Sequence, residues 1–498
     1  MTRPALKQLG AVVWLVAISA LHVMIPPCAA HGEATADGAV LPATETGRCA
    51  SAYFAAFNVS ETAMRRFFLD WVSAESLAER PIEVRLGMYG RLRQDLGHLA
   101  PRRVVSSADG SLTVLAEGRD DQWVELTFMM TADAPRKLAG IRVEQVEPGE
   151  DGPPQDAPLE IGEVAGQAGR LVADAVAKDE FSGAVLIARN GAVLLENAWG
   201  QANKSHGVAN RVDTKFCLGS INKLFTRIVV LQLEEQGRLS LDDLLGTHLP
   251  DYPNPDAATR VTIRHLLDMT SGIGDFFNEK FDAMPKDRLR TTSDYLRLFA
   301  ADPLLFAPGS QRRYSNGGYV VLGAIIEKVT GRSYYDVVRE KVLTPAGMTD
   351  TDSYEVDAPV PNLATGYTRE AGRDGSWRSN VYTKPARGSS AGGGYSTLRD
   401  LLRFSAALTG GKLLSRPHTV WVLGGPEPGA GTADARSGKG QGLGVAGGAP
   451  GMNAVLDVDL DAGFTLVVLS NYDPPAAERV ARRIRALLRR VRSGTSAD

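Results

Sequence analysis

Phe216-Cys217-Leu218-Gly219-Ser220-Ile221-Asn222-Lys223-Leu224-Phe225 is the stretch around which the rest of the chain is organised. It reads as a loop running into a helix. Leu224, Ile228, Leu231, Leu233 and Leu239 return at helical intervals, while Glu234, Glu235 and Arg238 take another face. Residues three apart share a helix face, so Lys223 can bring its amine to the Ser220 hydroxyl. A serine at a helix start also sits in a field that stabilises developing negative charge. A neutral lysine beside a serine hydroxyl makes a nucleophile near neutral pH. Ser-x-x-Lys by itself equally describes a solvated surface turn, so the rest of the chain has to separate the two readings.

Downstream, Pro308-Gly309 turns the chain toward Tyr314-Ser315-Asn316-Gly317-Gly318-Tyr319, and Val320 to Val329 continues as an apolar helix. In an extended loop, residues two apart point the same way, so Tyr314 and Asn316 are expected to face one cleft. A phenol near an ammonium is expected to have a lowered pKa and can shuttle the serine proton. The Asn316 amide can orient the lysine and hydrogen-bond an acyl amide oxygen. Further on, Gly442-Leu443-Gly444-Val445-Ala446-Gly447-Gly448-Ala449-Pro450-Gly451 reads as a glycine-rich strand, where something approaches the backbone closely. An N–H from this strand, with that of Ser220, would make an oxyanion hole.

Strand signals flank these motifs on both sides. Gly183 to Ala188 and Val193 to Trp199, joined by Asn190-Gly191, form a hairpin pattern. A second one is Ala454 to Leu460 and Phe464 to Ser470, joined by Asp461-Ala462-Gly463. Helices are expected before the first hairpin, from Ile161 to Asp179, and after the second, from Pro475. The last helix puts Val480, Ile484, Leu487, Leu488 and Val491 on one face. Its arginines are read as a solvated face rather than a membrane or nucleic-acid surface. Ser220 then falls where a helical region meets an antiparallel sheet, a usual place for a cleft.

Residues 47–146 read as a separate small domain. Tyr53, Phe54, Phe57, Met64, Phe67, Phe68 and Trp71 recur at helical intervals, with a break at Asn58-Val59-Ser60 where Ser60 can cap a second helix. A helix over Ile82 to Leu96 follows, then strands at Arg103 to Ser106, Leu112 to Glu117, Trp123 to Met130 and Leu138 to Val146. Asp109-Gly110 and Arg119-Asp120-Asp121 supply turns. Helices followed by a curved antiparallel sheet resemble the cone-shaped NTF2-like fold in order and length. Residues 147–158 form an acidic Pro/Gly linker.

Before this lie residues 31–46, small and polar, read as a flexible leader. Residues 1–30 have a basic start, an apolar run from Leu9 to Ile25 and small residues ending at Ala30. That pattern describes a cleaved secretory signal peptide, so the protein is expected to be periplasmic or secreted, with no stable membrane span afterwards. Acylation at Cys28 and an uncleaved anchor are the rival readings. A net charge of −3 over 498 residues gives no reason to expect nucleic acid. Three cysteines imply no disulfide framework, so Cys49 and Cys217 are expected as free thiols. No Cys/His spacing suggests a metal, and no cofactor is expected.

From about residue 160 to 490 the chain resembles the β-lactamase-related serine hydrolases: class C β-lactamases, DD-peptidases and esterases of that fold. The resemblance rests on Phe216-Cys-Leu-Gly-Ser-Ile-Asn-Lys, Leu231-Gln-Leu-Glu-Glu-Gln-Gly-Arg-Leu-Ser-Leu-Asp-Asp and Leu266-Leu-Asp-Met-Thr-Ser-Gly-Ile. It continues through Tyr314-Ser-Asn-Gly-Gly-Tyr, Gly392-Gly-Gly-Tyr-Ser-Thr and Pro450-Gly. It implies a β-lactamase/transpeptidase-like α/β (α+β) domain over 159–493, an antiparallel sheet flanked by terminal helices plus a helical region. It further implies Ser220 as nucleophile, Lys223 as its general-base partner and Tyr314 as proton shuttle. Asn316, Gly447 and Gly448 would contact a small-molecule or peptide substrate, with the Ser220 and Gly448 N–H groups holding the oxyanion. One departure stands out: the third motif of the family usually opens with Lys or His, and here that place is Val445. A neutral acyl donor is therefore expected. The alternative is a catalytically inactive member that binds peptidoglycan fragments or a protein partner.

Overall fold

The computed structural model describes residues 39–491 apart from 120–121, 132–135, 147–158, 371–374 and 429–441. The signal and linker stretches therefore lie outside the described residues, as does the first half of the leader. The chain divides into two compact units between residues 148 and 149.

In the first unit, helices α1 (Glu45–Val59) and α2 (Glu61–Trp71) are separated by Ser60, whose hydroxyl accepts from the Ala63 N–H. Helix α1 begins inside the stretch read as leader because Thr44 caps it, accepting from the Gly47 N–H. A short helix α3 (Ala74–Glu79), capped by Ser73, went unread in the sequence, which offers only one turn of pattern there. Helix α4 (Ile82–Leu96) precedes an antiparallel meander of β1 (Ala100–Ala108), β2 (Ser111–Glu117), β3 (Trp123–Met130) and β4 (Leu138–Val146). Phe57, Met64, Leu112, Leu126 and Phe128 are at most 1% exposed and join helices to sheet in one core.

The second unit is built on a five-stranded antiparallel sheet. Helix α5 (Val164–Ala177) leads into β5 (Gly183–Arg189) and β6 (Ala192–Trp199). Asn190 and Gly191, at φ 48° and 80°, take the left-handed conformation a two-residue hairpin turn requires. A two-residue strand β7 (Phe216–Cys217) comes next, then helices α6 (Asn222–Glu235) and α7 (Asn316–Thr330). Strand β8 (Tyr395–Ser396) pairs with β7, and helix α8 (Leu398–Thr409) follows. The chain returns to the sheet with β9 (Gly442–Ala449), β10 (Met452–Asp459) and β11 (Phe464–Ser470), in the spatial order β9-β10-β11-β5-β6. Helix α9 (Ala476–Arg489) closes the unit.

Alternation along the central strands sorts their side chains onto two faces. Val185, Ile187, Val455 and Val468 pack against α5 and α9, where Val480 and Ile484 are buried. Ala184, Leu186, Leu456 and Val467 pack against the helical region that contains α6 and α7. Burial on both faces explains why these strands read as continuous apolar runs. The arginines of α9 are not all left in water: Arg485 Nε donates to Asp457 Oδ2 at 2.6 Å, on the sheet. Cys49 and Cys217 are free and buried, and burial pushes the Cys49 thiol up to about 12. Among the described residues no helix is long and apolar enough to cross a membrane.

Candidate active site

Ser220 sits in the 3-10 turn Gly219–Ile221 that runs directly into α6. Gly219 makes the turn possible with φ 50°, a conformation that costs other residues strain. Strand β7 anchors the turn from one side. The Leu218 N–H donates to Gly394 O at 2.7 Å, and the Gly393 N–H to Gly219 O at 3.2 Å. Strand β9 lies on the other side, so close that a Cβ at Gly447 would fall 2.0 Å from Leu218 O and 2.6 Å from Ser220 N. Only glycine fits there.

Lys223, 7% exposed, brings its Nζ to 3.1 Å from Ser220 Oγ, one helical turn back. The same amine donates to Asn316 Oδ1 at 2.7 Å and to Ala391 O at 2.6 Å. It also lies over the rings of Tyr314 and Tyr319, 4.7 and 5.5 Å from their centroids. Desolvation in this enclosure lowers the Lys223 pKa to about 7, against an opposing pull from the Asp275 carboxylate. A neutral amine has two N–H groups, and Asn316 Oδ1 and Ala391 O can take both. Its lone pair is then left facing Ser220 Oγ.

Tyr314 Oη is 2.6 Å from Ser220 Oγ. The sequence suggested a phenol pKa lowered by the lysine. The structure reverses that: desolvation pushes the Tyr314 phenol up to about 12, with the Asp275 carboxylate adding to the rise and the Ser220 hydrogen bond opposing it. Tyr314 thus keeps its proton. Asn316 also differs from its expected setting. It is not in an extended loop but is the first residue of α7, whose cap Ser315 accepts from the Gly318 N–H. The helix start aims its amide at Lys223.

Gly448 lies on β9 opposite Asn453, next to the closing pair Ala449 and Met452 of a two-residue turn. In an antiparallel ladder such positions alternate, which turns the Gly448 N–H away from β10 and off the free edge of the sheet. Gly448 N lies only 2.8 Å from where a Gly219 Cβ would stand, so this edge faces the Ser220 turn. Val445 shares the strand face of Gly447 and packs on the core at that side, a half-buried apolar wall. The structure thus brings Ser220, Lys223, Tyr314, Asn316, Gly447 and Gly448 to one place. No cluster of potential metal ligands occurs among the described residues.

Two participants were missed. Ala391 acts through a carbonyl, which no side-chain pattern reveals. Asp275 accepts from Asn316 Nδ2 at 2.7 Å and from the Asn316 N–H at 3.3 Å. It stands two residues beyond the Thr270-Ser-Gly-Ile text, so the signal was within reach. Replacing Asp275 by Asn should release Asn316 and lower kcat by about ten- to a hundredfold. It should also move the acid limb of the pH profile down, since the carboxylate raises the Lys223 pKa. A limb that stays in place would reduce Asp275 to a structural brace.

The sequence profile of the family described as Beta-lactamase matches residues 168–490. The chain belongs to the Beta-lactamase family. The chain is 35% identical over 179 residues to Penicillin-binding protein 4* of Bacillus subtilis, covering 36% of this chain and 39% of that one. It therefore spans well under two thirds of the curated relative it matches. A penicillin-binding protein from Bacillus halodurans, known as a crystal structure, is 30% identical with a TM-score of 0.58, covering 64% of this chain and 99% of that one. D-amino acid amidase from Ochrobactrum anthropi is 26% identical with a TM-score of 0.55, covering 65% and 98%. The five-stranded antiparallel sheet flanked by helices in the second unit is the β-lactamase/transpeptidase-like α/β fold of that family.

Proposed function

We propose that the protein is an active hydrolase that works through an acyl-enzyme on Ser220, with an ester, amide or peptide as substrate. The observation that carries this is the placement of Ser220 Oγ between a lysine amine near neutrality, at 3.1 Å, and a protonated phenol, at 2.6 Å. Lys223 takes the hydroxyl proton as Oγ attacks the acyl carbon, and the carbonyl oxygen becomes an oxyanion held by the Ser220 and Gly448 N–H groups. The proton then passes through Tyr314 to the leaving oxygen or nitrogen as that bond breaks. Water repeats the sequence on the acyl-enzyme and releases a carboxylic acid. Asn316 holds the lysine rotamer and keeps one N–H for the substrate. Labelling by a fluorophosphonate probe, lost in Ser220→Ala, is the expected result. An unlabelled natural protein would favour the inactive binding reading.

Val445 supports a preference for uncharged acyl donors. An isopropyl group cannot pair with a carboxylate, and a buried charge without a partner costs several kcal/mol. A neutral ester is expected to exceed its carboxylate-bearing analogue in kcat/KM by roughly a hundredfold. Val445→His should narrow that ratio. The idea fails if the natural protein prefers the anionic substrate, or if the histidine leaves the ratio unmoved.

The basic, apolar and small-residue pattern of residues 1–30 supports export to the periplasm or beyond. The order of helices and four-stranded meander in the first unit supports its reading as an NTF2-like cone.

A further inference from the structure

The first unit contains a cleft of about 470 Å³ between its helices α2 to α4 and the strands β3 and β4. That volume is within the range of sites that hold small organic ligands. Met64, Met88 and Met129 line it together with Leu138 and Ile141, and flexible thioethers adapt to the shape of an apolar body.

Two features of the lining point to a ligand. Tyr53, also in the wall, is 4% exposed, and its hydroxyl makes no hydrogen bond among the described residues. Its buried neighbour Tyr89 instead donates to Phe57 O at 3.3 Å. The Tyr53 hydroxyl is not sealed into the core: it opens into the cleft, where its donor can serve a ligand. The second feature is charge. Arg80, Arg85 and Arg142 line the cleft, and no Asp or Glu does among the described residues. Arg85 is committed to the rim itself, donating to Ser76 O at 2.6 Å and to Arg80 O at 2.9 Å. Arg80 is exposed and forms no ion pair among the described residues, while Arg142 meets Glu144 only at 3.9 Å.

We propose that this cleft binds an anionic amphiphile: an apolar chain for the methionine-lined wall, a carbonyl for the Tyr53 hydroxyl, and a carboxylate head for Arg80 and Arg142. An N-acyl amino acid has all three. This site lies wholly within the first unit and does not depend on the chemistry at Ser220.

The test is calorimetric titration of the full chain carrying Ser220→Ala, so that nothing is turned over, with N-dodecanoylglycine as the probe. One saturable site per chain is expected. The neutral glycinamide analogue and dodecylamine should bind about tenfold more weakly or not at all, as should the probe to Arg80→Glu/Arg142→Glu, both exposed positions. Tyr53→Phe, which loses no hydrogen bond within the protein and so should fold, is expected to weaken binding about fivefold. Absence of saturable binding would overturn the proposal. So would binding that prefers the amine, or that is indifferent to both the arginine and the tyrosine substitutions, which would place the probe elsewhere.

Discussion

Ser220→Ala is expected to lower kcat/KM for an activated ester by about 10⁴–10⁶-fold, the loss seen when a covalent nucleophile is removed from a set of residues acting together. The fold should be undisturbed, because among the described residues the Ser220 hydroxyl hydrogen-bonds to Lys223 and Tyr314 of the site and not to the core. After brief exposure to a nitrophenyl ester, mass spectrometry of the natural protein should find the acyl group on the peptide that contains Ser220. The alanine variant should carry none. Unchanged turnover in that variant would dispose of the acyl-enzyme altogether.

Lys223→Ala should cost roughly 10²–10⁴-fold in kcat, and Tyr314→Phe a comparable amount, since each acts on the same proton. The double variant should be little worse than the poorer single one. A loss equal to the product of the two would separate their roles. The pH profile offers a second handle. With Lys223 at about 7, the rate should rise through that value as the amine loses its proton. Tyr314, at about 12, should impose no fall below strongly alkaline pH. The same shift affects stability. Lys223 binds its proton at 10.5 when unperturbed and at about 7 when folded, so between those values the unfolded chain holds more protons. Stability should therefore rise with pH across that window and be lowest below it. Lys223→Met, which needs no buried charge, should flatten this dependence in thermal denaturation and lose the acid limb of the rate. A slope that survives would assign the pH dependence to another group.

Much of this arrangement was legible before any coordinates. The hairpin at Asn190-Gly191, the apolar runs of the sheet and the capped break at Ser60 are local signals, each set by backbone geometry within a few residues. The Ser220–Lys223 pair was legible for the same reason, because one helical turn fixes its spacing. Asn316 was found as a residue but placed on the wrong kind of element: Ser315 as a helix cap competes with the reading of an extended loop.

Sequence by itself determined which residue types are present, which helices and strands they favour, and that a serine and an amine share a face. Tertiary structure alone decided the proton affinities. Lys223 falls to about 7 because elements distant in sequence close over it and exclude water, and the half-exposed Tyr314 rises to about 12 through partial desolvation in the same cleft. It alone recruited Ala391 O, 168 residues from Lys223, and set the strand edge of Gly447 and Gly448 against the Ser220 turn. Desolvation and backbone approach depend on distances between remote segments, and no local pattern encodes those distances.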